Sequence, residues 1–178
     1  MLKNKSHIIN LGCRLNIYEG EIIKSLVSKS KLSQFTIINS CAVTQEAEKK
    51  VCYEIRKAKR NSPENKIVLT GCAAQINPQK FAAMSEVDYI IGNNEKLDIK
   101  IWSNIENSKS VQVENIFENN DIHSHLVEKF EGKARAYVQI QQGCNHRCTF
   151  CIIPFGRGNN RSVPVGIIID RINLLVKN

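Results

Sequence analysis

The sequence contains no long run of apolar residues. Stretches such as residues 167–169 (III) are far shorter than the roughly 20 residues that a helix needs to cross a bilayer. The basic first residues, MLKNKSH, are not followed by an apolar segment, so we expect no signal peptide. These absences predict a protein without a membrane span that stays in the cytoplasm.

Proline, glycine and aromatic residues are also scarce, with 4 Pro, 9 Gly and 6% aromatics among 178 residues. This scarcity excludes a collagen-like chain, and the 42% hydrophobic content excludes intrinsic disorder. The length is sufficient for one sizeable core, or for a core plus a further fragment.

Acidic residues are fewer than basic ones, with 17 Asp and Glu against 25 Lys and Arg, so the formal net charge is +8. A positive excess is typical of proteins that bind nucleic acid, because Lys and Arg neutralise phosphates and release their counterions. Charge alone does not decide the point. Ile, Asn and Lys are all abundant in this chain, and an AT-rich genome encodes all three in excess, so nucleotide composition can account for part of the positive charge.

Short β-branched runs alternate with helical patterns through the first hundred residues, which predicts an α/β domain with a parallel sheet and helices on both faces, flavodoxin-like or Rossmann-like. Strands are predicted at residues 8–11, 35–39, 67–70, 89–91 and 111–113. Helices are predicted at residues 18–27, after Thr44, after Pro78 and near 94–105. The second helix has the clearest signals, because Thr44 can cap it, acidic residues begin it and basic residues end it.

The pattern loses its periodicity between the first domain and the C-terminal segment. We expect an N-terminal domain over residues 1–105, a connector over 106–132 and a second unit over 133–178. The second unit should contain a strand at 136–140, a cysteine-rich loop and a helix at 165–176.

Three cysteines follow three predicted strands in the same way. Cys13, Cys41 and Cys72 lie 28 and 31 residues apart, which is about the length of one β-α-β unit. The carboxyl ends of parallel strands meet at one edge of a sheet, so the three thiols can meet there, with Gly12 and Gly71 allowing close backbone approach. This repetition favours a metal or cluster site, while the alternative is three small buried core residues.

A second set of cysteines lies on one loop, where Cys144, Cys148 and Cys151 form a Cys-x3-Cys-x2-Cys motif. Three close thiolates can hold an iron–sulfur cluster and leave one iron open to a ligand. The alternative is a zinc site with His146 as fourth ligand. We interpret the seventh cysteine, Cys52, as a half-buried helix residue.

These motifs resemble a known family. The segment 144–158 (CNHRCTFCIIPFGRG) resembles the radical S-adenosylmethionine (SAM) enzymes, and within them the tRNA methylthiotransferases. The segments 11–19 (LGCRLNIYE), 38–44 (INSCAVT) and 68–75 (VLTGCAAQ) are similar to the N-terminal domain of that family. Thr44, residues 91–93 with Lys96, and residues 134–137 (ARAY) resemble the branch that acts on N6-threonylcarbamoyladenosine rather than the isopentenyladenosine branch.

The resemblance implies two four-iron clusters, SAM and a tRNA substrate. One cluster would be held by Cys144, Cys148 and Cys151, with Phe150 near the adenine of SAM. The other, which donates the sulfur, would be held by Cys13, Cys41 and Cys72, with Asn16 and Glu19 on the same rim. The implied reaction begins with a deoxyadenosyl radical and adds a methylthio group to carbon two of the modified adenosine near the anticodon.

The family's SAM domain is a barrel, and the 47 residues after Glu131 suffice only for its first β/α unit, since each unit takes about 30 residues. We therefore expect the N-terminal part of a truncated or split enzyme, completed by a separately encoded C-terminal half, with doubtful activity as a single chain. The alternatives are a binding module for a cluster and RNA, with a basic patch at Arg56, Lys57, Lys59 and Arg60, or an inactive remnant.

Overall fold

Five parallel strands form the centre of the protein in a computed structural model that describes residues 6–118, 127, 130 and 134–177. The strands are β1 (His7–Asn10), β2 (Phe35–Ser40), β3 (Lys66–Gly71), β4 (Tyr89–Ile91) and β5 (Val111–Gln112). They lie in the order in which they occur along the chain. The α/β class with a parallel sheet is therefore confirmed, and the sheet has no reversal of strand order.

Helices connect and cover these strands. They are α1 (Arg14–Lys29), α2 (Gln45–Asn61), α3 (Cys72–Ile76), α4 (Pro78–Ala82) and α5 (Ile99–Ser103). Helix α2 begins as predicted, because the Thr44 side chain accepts a hydrogen bond from the backbone N–H of Ala47 at 3.1 Å. The single helix predicted near 94–105 is instead a series of short ones, because Asp98 adopts an extended conformation and caps α5.

Alternate strand residues supply two separate hydrophobic cores, one on each face of the sheet. Ile37, Val68 and Ile91 pack with the buried side of α1. Ile38 and Leu69 point the other way and pack with α2. This alternation follows from the two-residue period of a strand and confirms that helices cover both faces.

The end of β3 approaches the end of β2 very closely. Gly71 has a positive φ of 94°, and a Cβ built on it would lie 2.4 Å from the backbone oxygen of Ser40. Only glycine tolerates both conditions without strain. The backbone segments that lead into Cys41 and Cys72 consequently leave the sheet side by side.

The segment after residue 134 differs from prediction at its strand. Residues 136–140 form no strand, and the first strand of this part is β6 (Gln141–Gln142), which pairs antiparallel with β7 (Arg161–Ser162). A strand needs a partner along its length for its backbone hydrogen bonds, and the bond from the Val163 N–H to the Ile140 carbonyl at 2.8 Å extends the β6–β7 pairing only to the last residue of this stretch. The strand predicted at 136–140 is therefore wrong, and the predicted first unit of a barrel stays a prediction.

Two helices follow β6, namely α6 (Ile153–Arg157) and α7 (Val165–Lys177). Helix α7 was predicted, and its Leu175 packs against the core beside α1. The Arg171 guanidinium lies 5.7 Å from the centre of the Tyr18 ring. This part of the chain thus packs on the N-terminal part, although Val165 and Val176 remain exposed. Among the described residues, no helix combines the length and apolarity required to cross a membrane.

Replacing Gly71 with Ala should reduce the free energy of unfolding by about 1–3 kcal/mol, because the new methyl group meets the Ser40 backbone at an unfavourable φ. Gly166→Ala is the matched control, since no atom beyond its chain neighbours and its own helix backbone lies within 4 Å of its Cβ position, and Ala is the better helix former. Thermal or denaturant unfolding followed by circular dichroism measures both. Equal stability of the two variants would contradict this account of the β2–β3 contact.

Candidate functional site

The loops after β1, β2 and β3 bring the first cysteine set to the carboxyl edge of the sheet. Cys13 immediately precedes α1, Cys41 follows β2 and is buried, and Cys72 begins α3. A Cβ on Gly12 would lie 2.7 Å from the Cys41 Sγ, so the first loop rests directly on the second. Gly12 has a positive φ of 96°, which permits this approach.

A buried ion cluster lies beneath this edge. The Lys96 Nζ donates to Glu19 Oε2 at 2.7 Å, and the Arg157 guanidinium donates through Nη1 to the other Glu19 oxygen. Glu19 is 1%, Lys96 0% and Arg157 6% exposed. Because three formal charges leave water here, the cluster depends on complete pairing.

Asparagine side chains complete the bonding of these charges. Asn93 Oδ1 accepts from Lys96 Nζ at 2.7 Å, and Asn39 Oδ1 accepts from it at 3.2 Å. Asn16 Oδ1 accepts from Arg157 Nη2, while its own amide donates to the Leu11 carbonyl at 2.7 Å. The ammonium group of Lys96 therefore has an acceptor for each of its three N–H bonds.

The pKa values in this cluster reflect burial and charge together. Burial alone would raise the pKa of the Glu19 carboxyl, but the charges of Arg157 and Lys96 hold it below its usual range. Burial lowers the pKa of Lys96 against the opposing charge of Glu19. Burial would also lower the pKa of Arg157, but its electrostatic interactions with the Cys72 sulfur and the Glu19 carboxylate raise it. Glu19 and Arg157 are consequently ionised at neutral pH.

Arg157 also reaches the first cysteine set. Its Nε donates to the Cys72 Sγ at 3.2 Å, and the Asn93 side-chain amide lies 3.7 Å from the same sulfur. Asn93 donates in addition to the Gly156 carbonyl at 2.5 Å. The residues that follow the second cysteine set therefore contact the first.

The second cysteine set lies on a loop stabilised by its own hydrogen bonds. The Cys144 N–H donates to the Gly158 carbonyl at 3.1 Å, and the Cys151 N–H donates to the Cys148 carbonyl at 3.0 Å. Cys148 is exposed, whereas Cys144 and Cys151 are half-buried. Phe150 is 90% exposed, so its ring is open to a ligand.

Five of the seven cysteines thus lie on loops, Cys72 begins α3, and Cys52 lies within α2. Cys52 is half-buried and packs against the core beneath α2, as interpreted from the sequence. Within the part of the chain that the structure describes, no three His, Cys, Asp or Glu side chains gather as they would around a single metal ion.

The donor chemistry fits iron–sulfur clusters at both cysteine sets. Cysteine thiolates are the usual ligands of such clusters. The Arg157 and Asn93 donors at Cys72 supply the kind of hydrogen bonds that accompany cluster sulfurs. Gly156 contributes space, because a Cβ on it would lie 3.4 Å from the Cys72 Sγ.

Sequence reasoning placed Asn16 and Glu19 on the rim of the site, and the structure places both in the buried cluster beneath it. It missed the role of Arg157 as a link between the two cysteine sets. One signal was present, since Glu19 lies on the apolar side of α1, where an unpaired carboxylate would be costly.

The geometry defines an α/β protein in which three strand-end cysteines share a sheet edge with an attached Cys-x3-Cys-x2-Cys loop. Residues 5–92 match the family described as Uncharacterized protein family UPF0004. Threonylcarbamoyladenosine tRNA methylthiotransferase MtaB of Rickettsia prowazekii is 48% identical over 172 residues, which cover 97% of this chain and 40% of that protein.

Two further relatives agree with this match. MtaB of Aquifex aeolicus is 36% identical over 179 residues, covering 94% of this chain and 43% of that protein. The tRNA-2-methylthio-N(6)-dimethylallyladenosine synthase of Thermodesulfovibrio yellowstonii is 30% identical over 184 residues, covering 96% of this chain and 42% of that protein. The chain belongs to the methylthiotransferase family, and it spans about two fifths of the length of these relatives.

Replacing Glu19 with Gln should reduce the free energy of unfolding by about 3–5 kcal/mol, because it leaves two buried cations without their carboxylate. The control is Glu106→Gln, which removes an exposed ion pair of 3.0 Å with Lys66 and should have little effect. Denaturant unfolding at neutral pH measures both. Similar stability of the two variants would contradict the pairing described for Glu19.

The lowered pKa of Glu19 also predicts how the stability difference between wild type and Glu19→Gln depends on pH. The folded-state pKa of Glu19 lies below its usual value of 4.5, so ionised Glu19 contributes its full stabilisation above that value and loses it as the pH falls through the lowered pKa. The stability difference between wild type and Glu19→Gln should therefore be largest at neutral pH and narrow on acidification. A difference that widens towards acid pH would refute the lowered pKa.

Proposed function

We propose that this chain is the sulfur-donating N-terminal part of a tRNA methylthiotransferase that acts on N6-threonylcarbamoyladenosine. The observation that carries the proposal is the contact of Arg157, which follows the second cysteine set, with Cys72 of the first. A protein that transfers sulfur to a carbon activated at a SAM site needs the two sites close together, because reacting groups must be held in position.

Each cysteine set has its own part in the proposal. Cys144, Cys148 and Cys151 hold the cluster that binds SAM, and Phe150 offers its exposed ring to the adenine. Cys13, Cys41 and Cys72 hold the cluster that is the sulfur source. When bound, these groups supply the electron that cleaves SAM and the sulfur that is transferred.

The protein's own residues hold and shield this chemistry. Gly12 and Gly71 let the strand-end loops that carry Cys13, Cys41 and Cys72 approach one another closely. Arg157 and Asn93 direct N–H groups at the Cys72 sulfur and so stabilise its negative charge. The buried Glu19 fixes the Arg157 guanidinium in the orientation that this contact requires.

The choice of modified adenosine rests on the relatives. The MtaB proteins of Rickettsia prowazekii and Aquifex aeolicus are 48% and 36% identical to this chain. The dimethylallyladenosine synthases of Thermodesulfovibrio yellowstonii and Karelsulcia muelleri are 30% and 28% identical. Higher identity favours the threonylcarbamoyladenosine branch, and the net charge of +8 suits a tRNA partner.

A binding module without catalysis is less well supported. Its basic patch lies at the end of α2, where Arg56 faces Glu86 at 3.8 Å, Lys57 faces Glu54 at 3.9 Å and Lys59 faces Asp88 at 3.7 Å. Basic side chains that already pair with acidic neighbours bind the phosphates of a nucleic acid less favourably, because the existing ion pairs must be given up. The patch is better explained as a solvated helix end that complements the helix dipole.

The chain spans about two fifths of the length of its relatives. The complete reaction is therefore proposed for these residues acting together with a counterpart of the rest of the relatives' length. The proposal assigns this reaction to the cytoplasm.

Anaerobic reconstitution with iron and sulfide should load two clusters per chain, one for each cysteine set. Cys13→Ala should remove one cluster and leave the other, and Cys148→Ala should do the reverse. Cys52→Ala is the control and should remove neither. Iron analysis with Mössbauer spectroscopy measures the outcome, and a Cys13→Ala protein that keeps its full iron content would refute the assignment.

A chimera tests function independently of chain length. The matching N-terminal 39% of the Bacillus subtilis MtaB relative is replaced by this chain, and methylthiolated nucleosides in tRNA are measured by mass spectrometry. We expect methylthio-threonylcarbamoyladenosine to form, to be lost with Cys13→Ala and to persist with Cys52→Ala.

A second chimera, in which this chain replaces the matching part of the Thermodesulfovibrio yellowstonii synthase, tests which modified adenosine is the substrate. We expect it to be the less active chimera on its own substrate, because the sheet edge would meet a differently adapted partner surface. Activity confined to the dimethylallyladenosine chimera would reverse the branch proposal.

A further inference from the structure

The buried Glu19 carboxylate is shared between two cationic side chains, and one of them, Arg157, also reaches the first cysteine set. Lys96 and Arg157 carry two positive charges, and Glu19 supplies one negative charge to both. An unpaired charge at this depth is strongly destabilising. The remaining Arg157 donor, Nε, points at the Cys72 Sγ at 3.2 Å, so the same guanidinium that pairs with Glu19 also contacts a sulfur of the first cysteine set.

The three donor positions of Arg157 are divided between two elements of the N-terminal part. Nη1 and Nη2 donate to Glu19 and Asn16 on α1, whereas Nε donates to Cys72 at the start of α3. The planar fork of a guanidinium can satisfy these acceptors at once, whereas the ammonium group of lysine cannot match the geometry. The position therefore requires arginine and not merely a positive charge.

Arg157 ends α6, six residues after Cys151. The neighbouring Gly156 carbonyl accepts a hydrogen bond from Asn93, and Gly156 lies against the Cys72 side chain. The Gly158 carbonyl in turn accepts from the Cys144 N–H at 3.1 Å. A short series of contacts thus runs from Cys72 through Arg157 and Gly158 to the second cysteine loop.

We propose that Arg157 is a positioning residue that holds the second cysteine loop at a fixed place relative to the first cysteine set and, through its Nε–H bond to Cys72, raises the reduction potential of the cluster bound there. The part of this inference that concerns the reduction potential rests on the proposed function, because it needs a cluster at the first cysteine set. Hydrogen bonds and positive charge at a ligating sulfur stabilise the reduced cluster, which gives the direction of the effect.

The variants are Arg157→Gln, which removes the charge and the fork, and Arg157→Lys, which keeps the charge alone. The control is Arg56→Gln, which removes an exposed guanidinium from α2. All are made in the full chain, and circular dichroism checks that each one folds. Arg157→Lys is the milder change and preserves the test if Arg157→Gln does not fold.

The first readout is amide hydrogen exchange of α6 in the full chain before reconstitution. Loss of hydrogen bonds to a charged group should make these amides exchange roughly tenfold faster or more in Arg157→Gln, while the amides of β2 stay protected. Unchanged exchange in α6, or equal acceleration throughout the sheet, would refute the positioning role.

The second readout is the midpoint potential of the cluster at the first cysteine set, measured by electron paramagnetic resonance in a Cys148→Ala background so that only this site is loaded. The potential should become more negative in Arg157→Gln, return part of the way in Arg157→Lys and stay unchanged in Arg56→Gln. An unshifted potential in Arg157→Gln would refute the contact with Cys72. Absence of any cluster in the wild type would instead refute the proposed function, and the exchange result would stand separately.

Discussion

The pairing of Glu19 with both Lys96 and Arg157 is the interaction on which the rest of the site depends. A single carboxylate from α1 pairs with cations from two distant parts of the chain in a region closed to water. Such a buried ion pair gives little net stability relative to an apolar contact, but removal of one partner strongly destabilises the fold because the other charge is left unpaired. Its main consequence is geometric, because it fixes where α6 meets the sheet edge.

The parallel sheet supplies the second constraint. Strands that follow one another in the sheet release their chains at one edge, so cysteines far apart in sequence become neighbours. Gly12 and Gly71, both with positive φ, remove the side chains that would separate these loops. The site is therefore assembled by topology and close approach, without a binding loop of its own.

The two cysteine sets differ in how they are formed. The second set is local, with hydrogen bonds between residues of one loop, and it exposes Cys148 to solvent. The first set is formed by three strand ends and lies over buried charges. This difference suits the roles proposed for them, because SAM must enter one site while the other keeps a sulfur protected until transfer.

The strands of the sheet, the cap of α2 and the helix α7 followed from the sequence alone, because periodicity, capping and turn signals act over a few residues. The strand-end spacing of Cys13, Cys41 and Cys72 was also visible there. The strand predicted at 136–140 was wrong, since a strand exists only with a pairing partner. The ion cluster was decided by tertiary structure, because Glu19 meets partners 77 and 138 residues away, and no local pattern specifies which buried charges will pair.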